Sequence, residues 1–209
     1  MKTKTIHQRL ALRGISRPAL TAMLVLMFAG IVAPPAHAAQ TFVVELDPAQ
    51  TTISFLLVGL LHDTHGTFKL KSGKMQFDPD TGAASGSIIV DVTTGDTGDS
   101  SRDSKMHSVV LESAKFGEAV FTPKQVVGSV AQEGASQVDV QGVLRIHGTD
   151  HNVTMTMAVT ASGGKITAKA RFNVPYAEWG MKNPSVFLLR VADSVTVEVS
   201  AAGRLSTTP

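Results

Sequence analysis

"SQVDVQGVLRIHGTDHNVTMTMAVTA", residues 136–161, alternates apolar and polar residues on both sides of a short polar break. Val138, Val140, Leu144 and Ile146 share one parity before the break; Val153, Met155, Met157 and Val159 share one after it. Successive side chains of a strand point to opposite faces, so each run has one apolar and one wet face. The break, "HGTDH" at 147–151, is turn chemistry. The stretch predicts an antiparallel hairpin in which "RIHG" ends one strand, "GTD" turns and "HNVTMTM" begins the next. The parity that points Leu144 and Ile146 inward points Arg145 and His147 outward.

The same period runs through the rest of the chain. Ile53, Phe55 and Leu57 share a face in "TTISFLLVG", as do Ile88, Val90 and Val92 in "SGSIIVDV". Phe68 and Leu70, then Met75 and Phe77, alternate with Lys and Gln in "GTFKLKSGKMQFDP". Phe121 lies in "EAVFTPKQV", Phe172 in "KITAKARFNV" and Val195, Val197 and Val199 in "DSVTVEVSA". "SGK" at 72–74, "DPDTG" at 78–82 and "ASGGK" at 161–165 read as turns. Eight or nine short strands of this kind predict a sandwich or barrel, and closure removes exposed edges.

One segment breaks the period. "SSRDSKMHSVVLESAKFG", 100–117, can begin with a Ser cap, spaces Met106, Val109, Val110 and Ser113 helically, and offers Gly117 as a C-terminal stop. One or two short helical turns near a barrel mouth are expected there.

Residues 1–38 carry five Lys or Arg and no acid, then an apolar run and "PPAHA". This is the pattern of a secretory signal cleaved after Ala38, leaving residues 39–209 as one domain. The apolar run is short for a membrane span, and none follows it. The signal holds five of the 19 basic groups and none of the 17 acids, so residues 39–209 have 14 basic against 17 acidic groups. That balance offers no basic footprint for nucleic acid or for an anionic membrane. Cysteine is absent, which excludes disulfides, thiolate metal sites and thiol nucleophiles. A bacterial periplasm is the expected compartment.

"ELDPAQTTISFLL", "HGTFKLKSGKMQFDP", "RDSKMHSVVLESAKFGEAVF", "VQGVLRIHGTDHNVTMTM" and "WGMKNPSVFLLRVADSVTVEVSA" occur in the order of a YceI-like protein. The resemblance covers residues 41–203 and rests on Asp47 to Phe55, Gly66 with Phe68, Phe116 with Phe121, and Gly142, Leu144, His147 and Gly148. It departs from the family at Gly117 and Glu118, where Tyr/Phe-Pro is common. The resemblance implies an all-β, eight-stranded, antiparallel lipocalin-like barrel with one or two short helices. It also implies an apolar pore for an isoprenoid lipid or quinone tail, periplasmic residence, no catalysis and no cofactor beyond that lipid. A homodimer is left open.

A prenyl tail offers no hydrogen bonds, so its affinity must come from apolar area removed from water, roughly 25 cal/mol per Å². The expected lining is Phe55, Leu57, Phe68, Leu70, Phe77, Phe121, Leu144, Met155, Met157 and Phe172 from strands. Met106, Val110, Phe116 and Trp179 would join them from the connections. The same inward faces serve a solid core equally well, so a structural or stress protein with a filled barrel is a second reading.

A third reading is a metal binder or metal-dependent hydrolase using His62, His65, His147 and His151, since "LHDTH" and "IHGTDH" supply imidazole and carboxylate. Against it, alternation scatters these side chains. "GDTGDSSRD", 95–103, lacks the partners of a protease site and the spacing of a calcium loop, and reads as a solvated loop capping a helix. Tyr176 and Trp179, with Glu178 and Lys182, suit a barrel rim. Arg102, Lys105 and His107 are candidates to meet a lipid head group.

Overall fold

The structure, a computed structural model, describes residues 40–208 apart from Leu188. The segment read as an export signal lies outside the described residues. The strands are β1 (Thr41–Leu46), β2 (Thr52–Leu57), β3 (Thr64–Phe77), β4 (Ala84–Asp96), β5 (Glu118–Val127), β6 (Gly134–Ile146), β7 (Thr149–Ser162), β8 (Lys165–Val174) and β9 (Val195–Thr208). One helix, α1 (Ser100–Lys105), lies between β4 and β5.

Every strand from β3 to β9 pairs antiparallel with its chain neighbour. β1 and β2 each pair with both β3 and β9 and close the sheet. They occupy one position in succession, so nine segments make eight barrel positions. Between them the chain bulges outward at Asp47, whose backbone N–H donates to Ala202 O at 2.8 Å and whose carboxylate accepts from Ala49 N. The expected eight-stranded antiparallel barrel is present.

Two bulges keep apolar residues inside along strands whose parity changes. In β3, Leu70 faces Val90 and Ser72 faces Ile89, which leaves Lys71 as an extra residue. The extra residue flips the parity, so Met75 and Phe77 return to the face that holds Phe68 and Leu70. "SGK" at 72–74 is therefore not a turn; β3 runs straight through it. In β5, Pro123 faces Gly142 and Gln125 faces Gln141. That bulge brings both Phe121 and Val126 into the buried core.

The hairpin of the opening stretch is tighter than expected. Ile146 pairs with Thr149, leaving only His147 and Gly148 in the turn, with φ of 50° and 78°. Positive φ at both positions is the type I′ geometry whose twist matches the flanking strands. Thr149 and Asp150 belong to β7 rather than to the turn. The register then sets His151 opposite Leu144, on the face of Val153 and Met155.

α1 is capped by Asp99, not by Ser100; its side chain accepts from Ser101 N and Arg102 N. Those bonds, the one from Arg102 foremost, hold the Asp99 carboxyl below the usual carboxylate range. Beyond Lys105 the coil widens, and Leu111 N–H donates five residues back to Met106 O at 2.9 Å. The run stops at Glu112, with φ of 45°. Gly117 is not the stop; its carbonyl accepts from Val92 N at 2.9 Å.

Candidate functional site: an apolar cavity in the barrel

The barrel interior holds a cavity of about 510 Å³, within the roughly 300–1,000 Å³ of small-molecule sites. The filled-barrel reading is thereby corrected: the inward faces meet around a space rather than filling it. Phe55 and Leu57 of β2, Phe68, Leu70 and Phe77 of β3, and Phe121 of β5 form one side of the wall. Leu144, Met155, Met157 and Phe172 of β6 to β8 form the other, with Met106 and Val110 at the helix end.

Two expected lining residues stand outside the cavity wall. Phe116 packs on the His147 ring at 4.4 Å between centroids, with Lys115 Nζ 4.6 Å from its own centroid. Trp179 stacks on His151 at 4.0 Å with an interplanar angle of 8°. Both belong to the packing that holds the connections against the barrel end.

Two glycines explain how large rings fit into the wall. Gly66 pairs directly with Phe55 across β2 and β3, and a Cβ at Gly66 would run into the Phe55 ring. A Cβ at Gly142 would likewise stand 2.7 Å from the Phe121 ring. Each ring lies over a neighbouring strand's bare backbone, and the cavity keeps its width. In the sequence these glycines stood only as spacing markers.

The mouth lies at the helix end of the barrel. Thr97, Ser101, Arg102 and Lys105 reach it from one side, and Pro184, Val186, Leu189 and Val191 from the connection between β8 and β9. The latter four went unnoticed as site residues, although "VFLLRV" is an apolar run without strand alternation. Arg102 donates from Nη2 to Thr97 O at 3.1 Å, and Lys105 Nζ donates to Pro184 O at 2.7 Å. Among the described residues neither cation is in an ion pair. His107 does not reach the cavity. Its Nε2–H donates to Gly95 O at 2.9 Å and its Nδ1 lies 3.0 Å from Ser113 Oγ.

Tyr176 seals the same end. It is 5% exposed, and its hydroxyl donates to Ala192 O at 2.7 Å. Burial, helped by the charge of Asp193, pushes its hydroxyl up to about 12.

The histidines do not assemble. His62 and His65 are exposed, His147 is bound to Glu112 at 2.8 Å, and His151 is stacked on Trp179 with Nε2 buried and unpartnered. His147 is thus not an open outward side chain but 14% exposed. Among the described residues no group of three or more His, Asp or Glu is placed to hold a metal ion.

The sequence profile of the YceI-like domain matches residues 44–202. The chain belongs to the YceI-like family. The matched residues run from β1 to β9 and so include the whole cavity wall. A UPF0312 protein of Vibrio vulnificus (strain YJ016) is 29% identical over 133 residues, 62% of this chain and 68% of its own. Two solved structures share this fold. BcnA of Burkholderia cenocepacia superposes with a TM-score of 0.62 at 19% identity, covering 75% of this chain and 98% of its own. A polyisoprenoid binding domain from Saccharophagus degradans, implicated in plant cell wall breakdown, gives 0.61 at 17% identity, covering 78% and 98%.

Proposed function

We propose that this protein is a periplasmic carrier that holds one isoprenoid lipid, a polyprenyl chain or quinone tail, inside its barrel. The observation that carries the reading is the cavity of about 510 Å³ walled by the apolar faces of every barrel position. A ligand for such a wall is long, apolar and free of hydrogen-bonding groups. Each 100 Å² of its surface taken from water contributes roughly 2.5 kcal/mol. Met106, Met155 and Met157 give the wall side chains that adapt to an irregular chain. The solved relative named as a polyisoprenoid binding domain supports the same ligand class.

The head group would rest at the mouth, where Arg102 and Lys105 reach the cavity and are in no ion pair among the described residues. Residues 1–38 would direct export, and cleavage after Ala38 would release the barrel into the periplasm. Carriage of such a ligand asks for no catalytic group.

Native mass spectrometry of gently purified protein, followed by organic extraction, tests the reading. One isoprenoid per chain is expected. A ligand-free protein that also refuses an added prenyl quinone would refute it.

A further inference from the structure

The two ends of the barrel differ. At the helix end Val186 and Leu189 line the mouth while 53% and 57% exposed. At the other end Phe42, Phe77, Val126, Val138, Val159 and Ile166 are each no more than 6% exposed. The loop between β5 and β6 closes that end. Its Val130 lines the cavity and packs against the buried core cluster. Two bonds hold the loop in place. Ala131 N donates to Ser136 Oγ at 2.9 Å, and Gly163 N, in the β7–β8 turn, donates to Glu133 Oε1 at 2.7 Å. At the same end Phe42 meets Phe77 edge to face, 5.3 Å between centroids. Phe77 belongs to the cavity wall and Phe42 backs it from outside the wall.

A cavity shut at one end limits the length of what enters it. Val138 and Ile146 of β6, eight residues apart, both line it. A strand rises about 3.4 Å per residue and barrel strands tilt by roughly 35–45°, so those residues span about 20 Å of barrel axis. An isoprene repeat adds four chain bonds. The three backbone bonds of an extended residue span about 3.3–3.6 Å, so a repeat spans roughly 4.5 Å and the axis holds about four repeats. Volume agrees: at about 30 Å³ for each water-sized group, 510 Å³ holds about 17 carbons, between three and four five-carbon repeats. Near the closed end the tail has room because Ala168 and Ala201, paired across β8 and β9, both line the cavity.

We infer that Val130, backed by Phe42 and Phe77, is the stop that fixes the length of tail the barrel accepts, at about four isoprene repeats. The inference rests on the proposed carriage of an isoprenoid lipid and adds which chains are carried. The polar head stays at the open mouth, so the tail enters first and its end meets Val130. A longer tail leaves repeats outside the wall, in water, and a shorter one leaves apolar space unfilled.

The test is competitive uptake. Protein purified from producing cells, its resident lipid exchanged into detergent, is offered an equal mixture of ubiquinones with two, four, six and eight isoprene repeats in micelles. Native mass spectrometry reads which are bound. The wild-type maximum is expected at four repeats, falling away by eight. Val130→Gly removes the stop and should raise uptake of the six- and eight-repeat quinones relative to four by about threefold or more. Ala168→Leu fills the tail's space and should move the maximum to two repeats. Thr167→Leu adds the same side chain at the neighbouring exposed position and should leave the profile unchanged. A wild type whose maximum lies at two or at eight repeats, or that takes all lengths equally, overturns the stop. So does a folded Val130→Gly or Ala168→Leu variant that keeps the wild-type profile. Where a variant fails to fold, the wild-type profile decides. A protein that takes up no ubiquinone of any length refutes carriage and the stop with it, whereas uptake without regard to length refutes the stop and leaves carriage standing.

Discussion

Glu112 and His147 are the two described non-glycine residues with left-handed backbones, at φ of 45° and 50°, and they are bound to each other. His147 Nε2–H donates to the Glu112 carboxylate at 2.8 Å. One residue ends the helical segment and the other opens the β6–β7 turn, so the bond ties the mouth's cover to the barrel wall. The left-handed backbone costs each residue roughly 1–2 kcal/mol, and the bond is part of what holds both there. A double-mutant cycle of Glu112→Ala and His147→Ala should give a coupling of about 0.5–1 kcal/mol in thermal or urea unfolding. Additive effects would show that each residue is held independently.

Phe55 lies over Gly66, its cross-strand partner. Gly66→Ala should push the Phe55 ring into the cavity, destabilise the barrel by about 1–3 kcal/mol and reduce lipid uptake. Combining it with Phe55→Leu, which removes the obstructing ring, should restore both in part. Chemical denaturation and uptake assays check the pair.

His151 carries a buried Nε2 without a partner while its ring stacks on Trp179. His151→Phe keeps an aromatic face on Trp179 and removes the unpaired polar atom. It should raise stability by about 1 kcal/mol, read as an increase in Tm. His151→Ala removes the stack as well and should lower Tm. Trp179 is the single tryptophan, so its fluorescence reports the stack without ambiguity.

Tyr176 is the single tyrosine and its hydroxyl is pushed up to about 12. Absorbance titration of the folded protein should therefore show a midpoint near 12, against about 10 for a free tyrosine. The native state favours the neutral phenol. Its contribution to stability is fully present below pH of about 10 and is lost as pH rises through the native value. Tyr176→Phe should flatten that alkaline loss, and denaturant midpoints between pH of about 9 and 11 would show it.

The strands were legible because alternation is direct physics: one face of each strand must leave water, and residues such as Val153, Met155 and Met157 mark that face. The pore could be expected only through the resemblance, because the same pattern serves a solid core. Lys71 was illegible as a bulge, since an extra residue in a strand looks like a turn when "SGK" surrounds it. His151 shares the parity of Val153 and Met155, so alternation already puts it on their face. The two-residue turn at His147 and Gly148, instead of a three-residue one, decides its partner across the hairpin, Leu144. Trp179 and Phe116 looked like lining because they are large and apolar, yet each found a histidine ring at the barrel end. The mouth residues Val186 and Leu189 sit in a connection without periodicity, where sequence pattern carries no direction.

The occupancy of the cavity is the most direct measure of the whole account. Native mass spectrometry of the gently purified wild type, beside Phe172→Asp, should find one isoprenoid chain per wild-type molecule. The variant, with a carboxylate in the apolar wall, should be empty. A folded wild type that carries no lipid and takes up no added prenyl quinone, or a Phe172→Asp variant as fully loaded as the wild type, would contradict it.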